Sequence, residues 1–314
     1  MFITSNILET IGNTPLVRLN RITADLGRTI LVKVEGLNPG GSIKTRTALN
    51  MILGAEAQGL LRPDSIILEF TSGNQGIGLA LVAAVKGYKC TIIMPECMSE
   101  ERRHIIESYG ANIVLTPVGK DITETFAMAE AKAKELLASD PRYVLAGQFT
   151  NQANCQAHYN GTAEEIIAQL GEITPQAFVA AIGTGGTITG AGHRLKKAYP
   201  NISVVAVEPK NAAILSGCIV SSHKQQGIGD GFIPDILDTR VYDEVITVTC
   251  PDAYEMTRRL AQEEGLFVGI SSGTNVCASL EIAKHLPEGS VIVTILPDGG
   301  ERYLSTPELF GGCK

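Results

Sequence analysis

The sequence predicts an α/β protein of two three-layer subdomains with mostly parallel sheets. Two observations lead there. Apolar runs of about five residues alternate with helical patterns more than about ten residues long, as expected for strands covered by helices on both faces. Three of those junctions are rich in Gly, Ser and Thr, and α/β folds bind ligands at the carboxyl ends of strands.

The elements follow in order. A first extended segment ends at Asn38-Pro39-Gly40-Gly41, where Ser42 can cap a helix over residues 45–58. Strands are predicted at residues 65–70, 89–94, 112–116 and 143–146, with helices at 75–86, 99–109 and 122–138. The second half gives strands at 177–182, 203–207 and 291–296, and helices at 187–199, 252–264 and 275–285. An irregular stretch over residues 211–241 is rich in Gly, Ser and Pro, and loops this long are more often functional than idle. No repeat or hydrophilic linker interrupts the pattern. The chain is expected to cross between its two units near residues 40 and 150.

Composition narrows the function. A chain of 314 residues with 44% hydrophobic and 19% charged residues is an ordinary globular protein. Its net charge of -7 argues against nucleic acid as the main partner, since phosphate backbones need a basic face. The seven cysteines include no Cys-x-x-Cys, and the five histidines show no metal-ligand spacing. No metal site is expected. Residues 1–15 lack a basic then apolar leader, and no segment is long and apolar enough for a membrane span. A cytoplasmic location is the expectation.

Lys44 carries the chemistry. In the first turn of its helix it meets the positive end of the helix dipole, which disfavours an ammonium. A lysine with a lowered pKa supplies the free amine needed for a Schiff base with an aldehyde. An isolated Gly-Gly-Ser-x-Lys would be an ordinary surface lysine, so the three junctions matter. Thr71-Ser72-Gly73-Asn74-Gln75-Gly76 offers hydroxyls, amides and backbone N–H groups to a carboxylate. Gly183-Thr184-Gly185-Gly186-Thr187 can cup a phosphate. It resembles a dinucleotide turn, with Glu208 ending the next strand, but Ile188 occupies the third glycine position. Gly269-Ile270-Ser271-Ser272-Gly273 brings hydroxyls that can face a ring nitrogen. An amine, a carboxylate cradle, a phosphate cup and a neutral hydroxyl together match pyridoxal phosphate acting on an amino acid.

On these motifs the chain resembles the cysteine synthase and cystathionine β-synthase family of fold type II pyridoxal-phosphate enzymes, which share a tryptophan synthase β-like fold. Asn13-Thr14-Pro15-Leu16-Val17 and Pro297-Asp298-Gly299-Gly300-Glu301-Arg302-Tyr303 resemble its terminal signatures. The resemblance implies that Lys44 binds the cofactor aldehyde and moves the substrate Cα proton. It implies Asn74, Gly183, Thr184, Gly185, Gly186, Thr187 and Ser271 as cofactor-binding residues. Thr71, Ser72, Gly73, Gln75, Gln148 and Gly229 would form the substrate site. A serine at the ring nitrogen leaves it unprotonated, which suits elimination from Cβ. The implied reaction is β-replacement through an aminoacrylate, O-acetylserine and sulfide giving cysteine. Residues 1–40 with 150–314 would form the larger cofactor-binding unit, and 41–149 a smaller, mobile one. A homodimer is also implied.

Three departures bear on substrate. Gln75 stands where Thr is usual, Thr45 where Asp is usual, and Asp230 where Gly227-Ile228-Gly229-Asp230-Gly231-Phe232 would normally carry Ala. A carboxylate at position 230 could serve as a general base toward water or a thiol. Alternatives are therefore an enzyme that consumes cysteine, releases hydrogen sulfide and forms serine or lanthionine, and a cystathionine or diaminopropionate synthase. From another class comes a nicotinamide-dependent oxidoreductase built on Gly183 and Glu208.

Overall fold

The computed structural model describes residues 3–218, 220–306 and 308–310. Strand β1 (Leu16–Arg18) pairs antiparallel with β2 (Thr29–Val34), and the chain then turns through Gly40 and Gly41 into α1 (Lys44–Ala57). Next come β3 (Ile66–Phe70), α2 (Asn74–Lys86), β4 (Lys89–Pro95), α3 (Glu100–Ser108), β5 (Asn112–Thr116), α4 (Ile122–Ser139) and β6 (Tyr143–Leu145). Their strands form a parallel sheet in the order β5-β4-β3-β6.

The return begins with α5 (Ala153–Ala157), a π-helical turn at His158–Thr162, and α6 (Ala163–Leu170). Strand β7 (Ala177–Ala181), α7 (Gly186–Ala198) and β8 (Ser203–Pro209) follow, then β9 (Glu244–Val248), α8 (Cys250–Glu264), α9 (Ile270–His285) and β10 (Val291–Leu296). The second sheet runs β1-β2-β10-β7-β8-β9, parallel except at β1.

Both sheets are buried on two faces. On β8, Val205 and Val207 pack with Leu260, Val276 and Ile282 of α8 and α9, whereas Val204 and Ala206 pack with Ile166, Ile188 and Leu195 of α6 and α7. Successive side chains on a strand point to opposite faces, so one apolar run serves two cores. In the smaller sheet Ile67 and Ile92 face α1 and α2, while Leu68 and Ile93 meet Ala129 and Ala133 of α4.

Several expectations needed correction. The helix predicted from residue 275 starts at Ile270, because Gly273 is a point of close helix packing and not a break. A Cβ on Gly273 would lie 2.2 Å from the Ala253 carbonyl oxygen. The helix expected from residue 252 starts at Cys250, with Thr249 Oγ1 accepting from the Asp252 N–H at 3.2 Å. Strand β9 and the helical stretch from α5 to α6 had no predicted counterpart. The π-helical turn His-Tyr-Asn-Gly-Thr lacks a 3.6-residue apolar period, which hides it from pattern reading.

Candidate active site

The carboxyl ends of β3, β7 and β10 converge on a cleft. Its walls include Lys44, Thr71, Ser72, Asn74, Gln75, Gln148, Gly183, Thr184, Gly185, Thr187, Asp230 and Ser271, from both sheets. Concave sites with a few convergent polar groups are where small-molecule ligands bind.

Lys44 opens α1, whose N-cap is Ile43 and not Ser42 as the sequence suggests; Ser42 lies one residue earlier, where its Oγ accepts the Lys44 N–H at 3.3 Å. Burial pushes the amine's pKa below its usual value, and the carboxylates of Asp230 and Asp298 oppose that shift. The helix start is braced two residues on. Arg46 Nε donates to Glu35 at 2.6 Å and its Nη1 to Glu165 at 2.6 Å, while Lys33 Nζ lies 2.7 Å from Glu165. Two buried cations thus face two carboxylates, so neither charge is left unpaired beneath Lys44.

The turn after β3 is shaped by Gly73, whose φ of +140° suits no other residue well. Thr71 Oγ1 accepts the Gly73 N–H at 3.1 Å. Gln75 is held from behind, its Oε1 accepting from Thr47 Oγ1 at 2.7 Å, and its Nε2 is buried without a protein partner. That unsatisfied donor fits a ligand carboxylate. Gln148 joins this turn from the other crossing, its Nε2 donating to the Phe70 carbonyl at 2.9 Å. Both segments hang on Glu69, a fully buried carboxyl that accepts from the Gln148 N–H at 2.9 Å and the Phe70 N–H at 3.1 Å. Burial pushes the Glu69 pKa up to about 8, against the pull of those backbone donors.

Asn74 sits between the sheets. Its Nδ2 donates to Asp298 Oδ2 at 2.6 Å, and its Oδ1 accepts from Arg302 Nη1 at 2.7 Å. One Nδ2 hydrogen remains for a cofactor oxygen.

The turn after β7 forms a second cradle. Gly185 has φ +80°, and Gly186, at the first position of α7, lies so close to Asn154 that a Cβ would come 2.0 Å from Asn154 Oδ1. Thr184 Oγ1 accepts from Asn154 Nδ2 at 3.1 Å. Thr187 Oγ1 lies 3.3 Å from Nε2 of His158, whose Nδ1 is 3.0 Å from Thr162 Oγ1. His158 is fully buried, and burial with the nearby Lys44 and Arg46 charges drives its pKa well down, so it stays neutral. A helix N-terminus with glycines and two hydroxyls suits a phosphate.

Asp230 occupies a loop in which Gly227, Gly229 and Gly231 all take positive φ. Gly229 turns the backbone, its carbonyl 2.9 Å from His223 Nε2, and Asp230 projects into the cleft. Burial raises the Asp230 pKa to about 6, with Lys44 pulling the other way. Ser271 lies buried on the first turn of α9, beside Ser272, whose Oγ has no partner. Glu208 does not face the cleft as a ribose ligand would. Its carboxylate accepts from the N–H groups of Leu215 and Ser216 at 2.9 and 3.0 Å and ties down the loop after β8.

Sequence reasoning missed Asn154, Arg102, Gln226, Asn275 and Tyr303, all now at or beside the cleft. Asn275 Oδ1 accepts the Ala181 N–H at 2.7 Å and its Nδ2 donates to the Ile295 carbonyl at 2.7 Å, joining two strand ends at the cleft wall. Among the described residues no His, Cys, Asp and Glu group could hold a metal ion, and no helix is long and apolar enough to cross a membrane.

A doubly wound pair of sheets, a partly buried lysine in the cleft between them, and separate carboxylate and phosphate cradles define a class of cofactor-dependent enzyme. The chain belongs to the pyridoxal-phosphate dependent enzymes, whose family model matches residues 7–298. Within it the chain is 49% identical over 302 residues to the cysteine synthase of Staphylococcus aureus (strain N315), covering 96% of each chain. The structure of O-ureido-L-serine synthase superposes with a TM-score of 0.91 at 45% identity, covering 99% of this chain and 96% of that one. A hydrogen sulfide-producing enzyme from Fusobacterium nucleatum matches with a TM-score of 0.91 at 41% identity, covering 96% and 100%. The protein is a pyridoxal-phosphate-dependent β-replacing enzyme of the cysteine synthase family. The nicotinamide reading is set aside, in keeping with the position of Glu208.

Proposed function

We propose that the protein makes cysteine from O-acetylserine and sulfide, with acetate as the other product. The observation that carries this reading is the Lys44 amine, kept below its usual pKa inside a cleft that also holds both cradles. Lys44 would hold the aldehyde carbon of pyridoxal phosphate. Asn74 and Ser271 would meet its ring, and Gly183, Thr184, Gly185, Gly186 and Thr187 its phosphate. The unpartnered Gln75 Nε2, at the cleft wall, is a buried polar atom of the kind a bound ligand satisfies. When bound, the cofactor draws electrons from the substrate Cα.

The chain's own residues do the rest. Lys44 Nζ takes the proton from Cα and returns it once the new bond at Cβ has formed. Thr71, Ser72, Gln75 and Gln148 bind the substrate carboxylate, on a backbone that Gly73 bends. Gly229 sets the loop that closes the far side. Residues 41–149 act as the mobile lobe, and the enzyme works as a cytoplasmic homodimer.

Asp230 supports a second reading. A carboxylate with a pKa of about 6, lining the same cleft as Lys44, can take a proton from water or a thiol, which hydrosulfide does not require. Cysteine would then be consumed, with hydrogen sulfide released and serine or lanthionine formed. Supplying the loaded protein with O-acetylserine plus sulfide, or with cysteine alone, separates the two. Cysteine formation in the first mixture is expected. Sulfide release from cysteine with no synthesis in the first mixture would replace the first reading by the second.

A further inference from the structure

We propose that Arg102 is the binding site for the small monoanion that leaves or enters the cleft, resting on the β-replacement reading above. Arg102 lies on α3, is only 2% exposed, and lines the same cleft as Lys44 and Asp230. Its guanidinium has no described carboxylate partner. Nη1 donates to Ser99 Oγ at 3.4 Å and to Gln226 Oε1, and the guanidinium carbon sits 4.7 Å from the centre of the Tyr303 ring. Nε is buried without any partner.

A buried cation left uncompensated is costly, and buried charges are normally paired. Lys33 and Arg46, by contrast, share Glu35 and Glu165, whereas the neighbouring Arg302 donates to two neutral acceptors, Asn74 Oδ1 and the Gly40 carbonyl. The Arg102 stem passes directly over Gly73, where a Cβ would lie 2.1 Å from Arg102 Cδ and 3.1 Å from Nε. The free Nε therefore lies beside the start of α2, whose positive dipole end also favours an anion. Gln226 lines both this cleft and the outer cavity toward solvent, so Arg102 stands at the passage between them.

The reaction supplies the missing charge. As the Cβ–O bond breaks, acetate departs with its electron pair. Hydrosulfide brings the pair that forms the Cβ–S bond and keeps its proton. One negative charge leaves and one enters, past a cleft wall that already carries Asp230. A guanidinium on that route lowers the barrier to both movements.

Calorimetric titration of sodium acetate into the cofactor-loaded protein tests this without turnover. Wild type should bind acetate, Arg102→Gln should bind it at least about 10-fold more weakly, and Arg102→Lys should keep part of the affinity as a point charge. Gln226→Ala, which leaves the guanidinium in place, should retain acetate binding. Acetate release from O-acetylserine alone and the rate after sulfide addition then identify which ion Arg102 serves, by which step slows in Arg102→Gln. Unchanged acetate affinity in Arg102→Gln, or its loss in Gln226→Ala, would make Arg102 a strut between the lobes and overturn the proposal. A wild type that binds acetate through Arg102 yet ignores O-acetylserine would contradict the proposed reaction instead.

Discussion

Lys44 and Asp230 face one cleft, and each holds the other toward its charged form. The amine opens α1, the carboxylate comes from the glycine loop of the other lobe, and burial works against both charges. Burial favours the free amine of Lys44, suited to the proton at Cα, while Asp230, with a pKa of about 6, is mostly ionised at neutral pH and suited to a nucleophile's proton.

Asp230 should give cysteine turnover its pH dependence. With a pKa of about 6, the carboxylate is protonated below that value and ionised above it. Sulfide release from cysteine should rise through pH 6 as the base ionises. Asp230→Asn should flatten that limb and lower the rate by about 100-fold or more, a usual contribution of a general base. Synthesis from sulfide should fall far less. Initial-rate pH profiles for both reactions measure this.

Glu69 should make the fold less stable as pH rises. Its folded pKa of about 8 lies above the 4.5 of a free glutamate, so the folded state binds the extra proton between those values. The contribution is fully present below pH 4.5 and is lost as pH rises to 8, with a slope approaching about 1.4 kcal/mol per pH unit in that window. Glu69→Gln should remove this slope. Urea melts of both proteins from acid to mildly alkaline pH provide the comparison.

Thr47 should matter through Gln75. Thr47→Val removes the hydroxyl that fixes Gln75 Oε1, freeing an amide whose Nε2 already lacks a partner. Loss of one hydrogen bond of about 1 kcal/mol should raise KM for the amino-acid substrate roughly 5-fold, with kcat nearly unchanged. Equal changes in kcat and KM would point away from a carboxylate-binding role for Gln75.

Much of this architecture is legible in the residues, for physical reasons. Strands such as Ile66–Phe70 and Val291–Leu296 are short runs that are apolar but for Glu69 and Thr294, because both faces are buried, and no surface periodicity is needed to find them. The glycine turns are legible because the backbone conformations at Gly73 and Gly185 favour glycine, and the hydroxyls beside them show what they can bind. Other parts answer to tertiary contact alone. Gly273 looks like a helix break until α8 is packed against it, and Asn275 looks like a helix opening until it is seen joining β7 to β10. Arg102 carries no local signal, because nothing near it in sequence indicates that Tyr303, some two hundred residues away, will cover it. The nicotinamide alternative arose from the position of Glu208 at a strand end, and only the folded loop shows its oxygens already occupied.

The central claim is that Lys44 carries the cofactor. Borohydride reduction of the loaded protein, followed by peptide mass mapping, fixes the attachment covalently and reads it residue by residue. The account predicts a single pyridoxyl-phosphate adduct on the peptide containing Lys44, and none in Lys44→Ala. An adduct on another lysine of the wild type, or none at all, would contradict it.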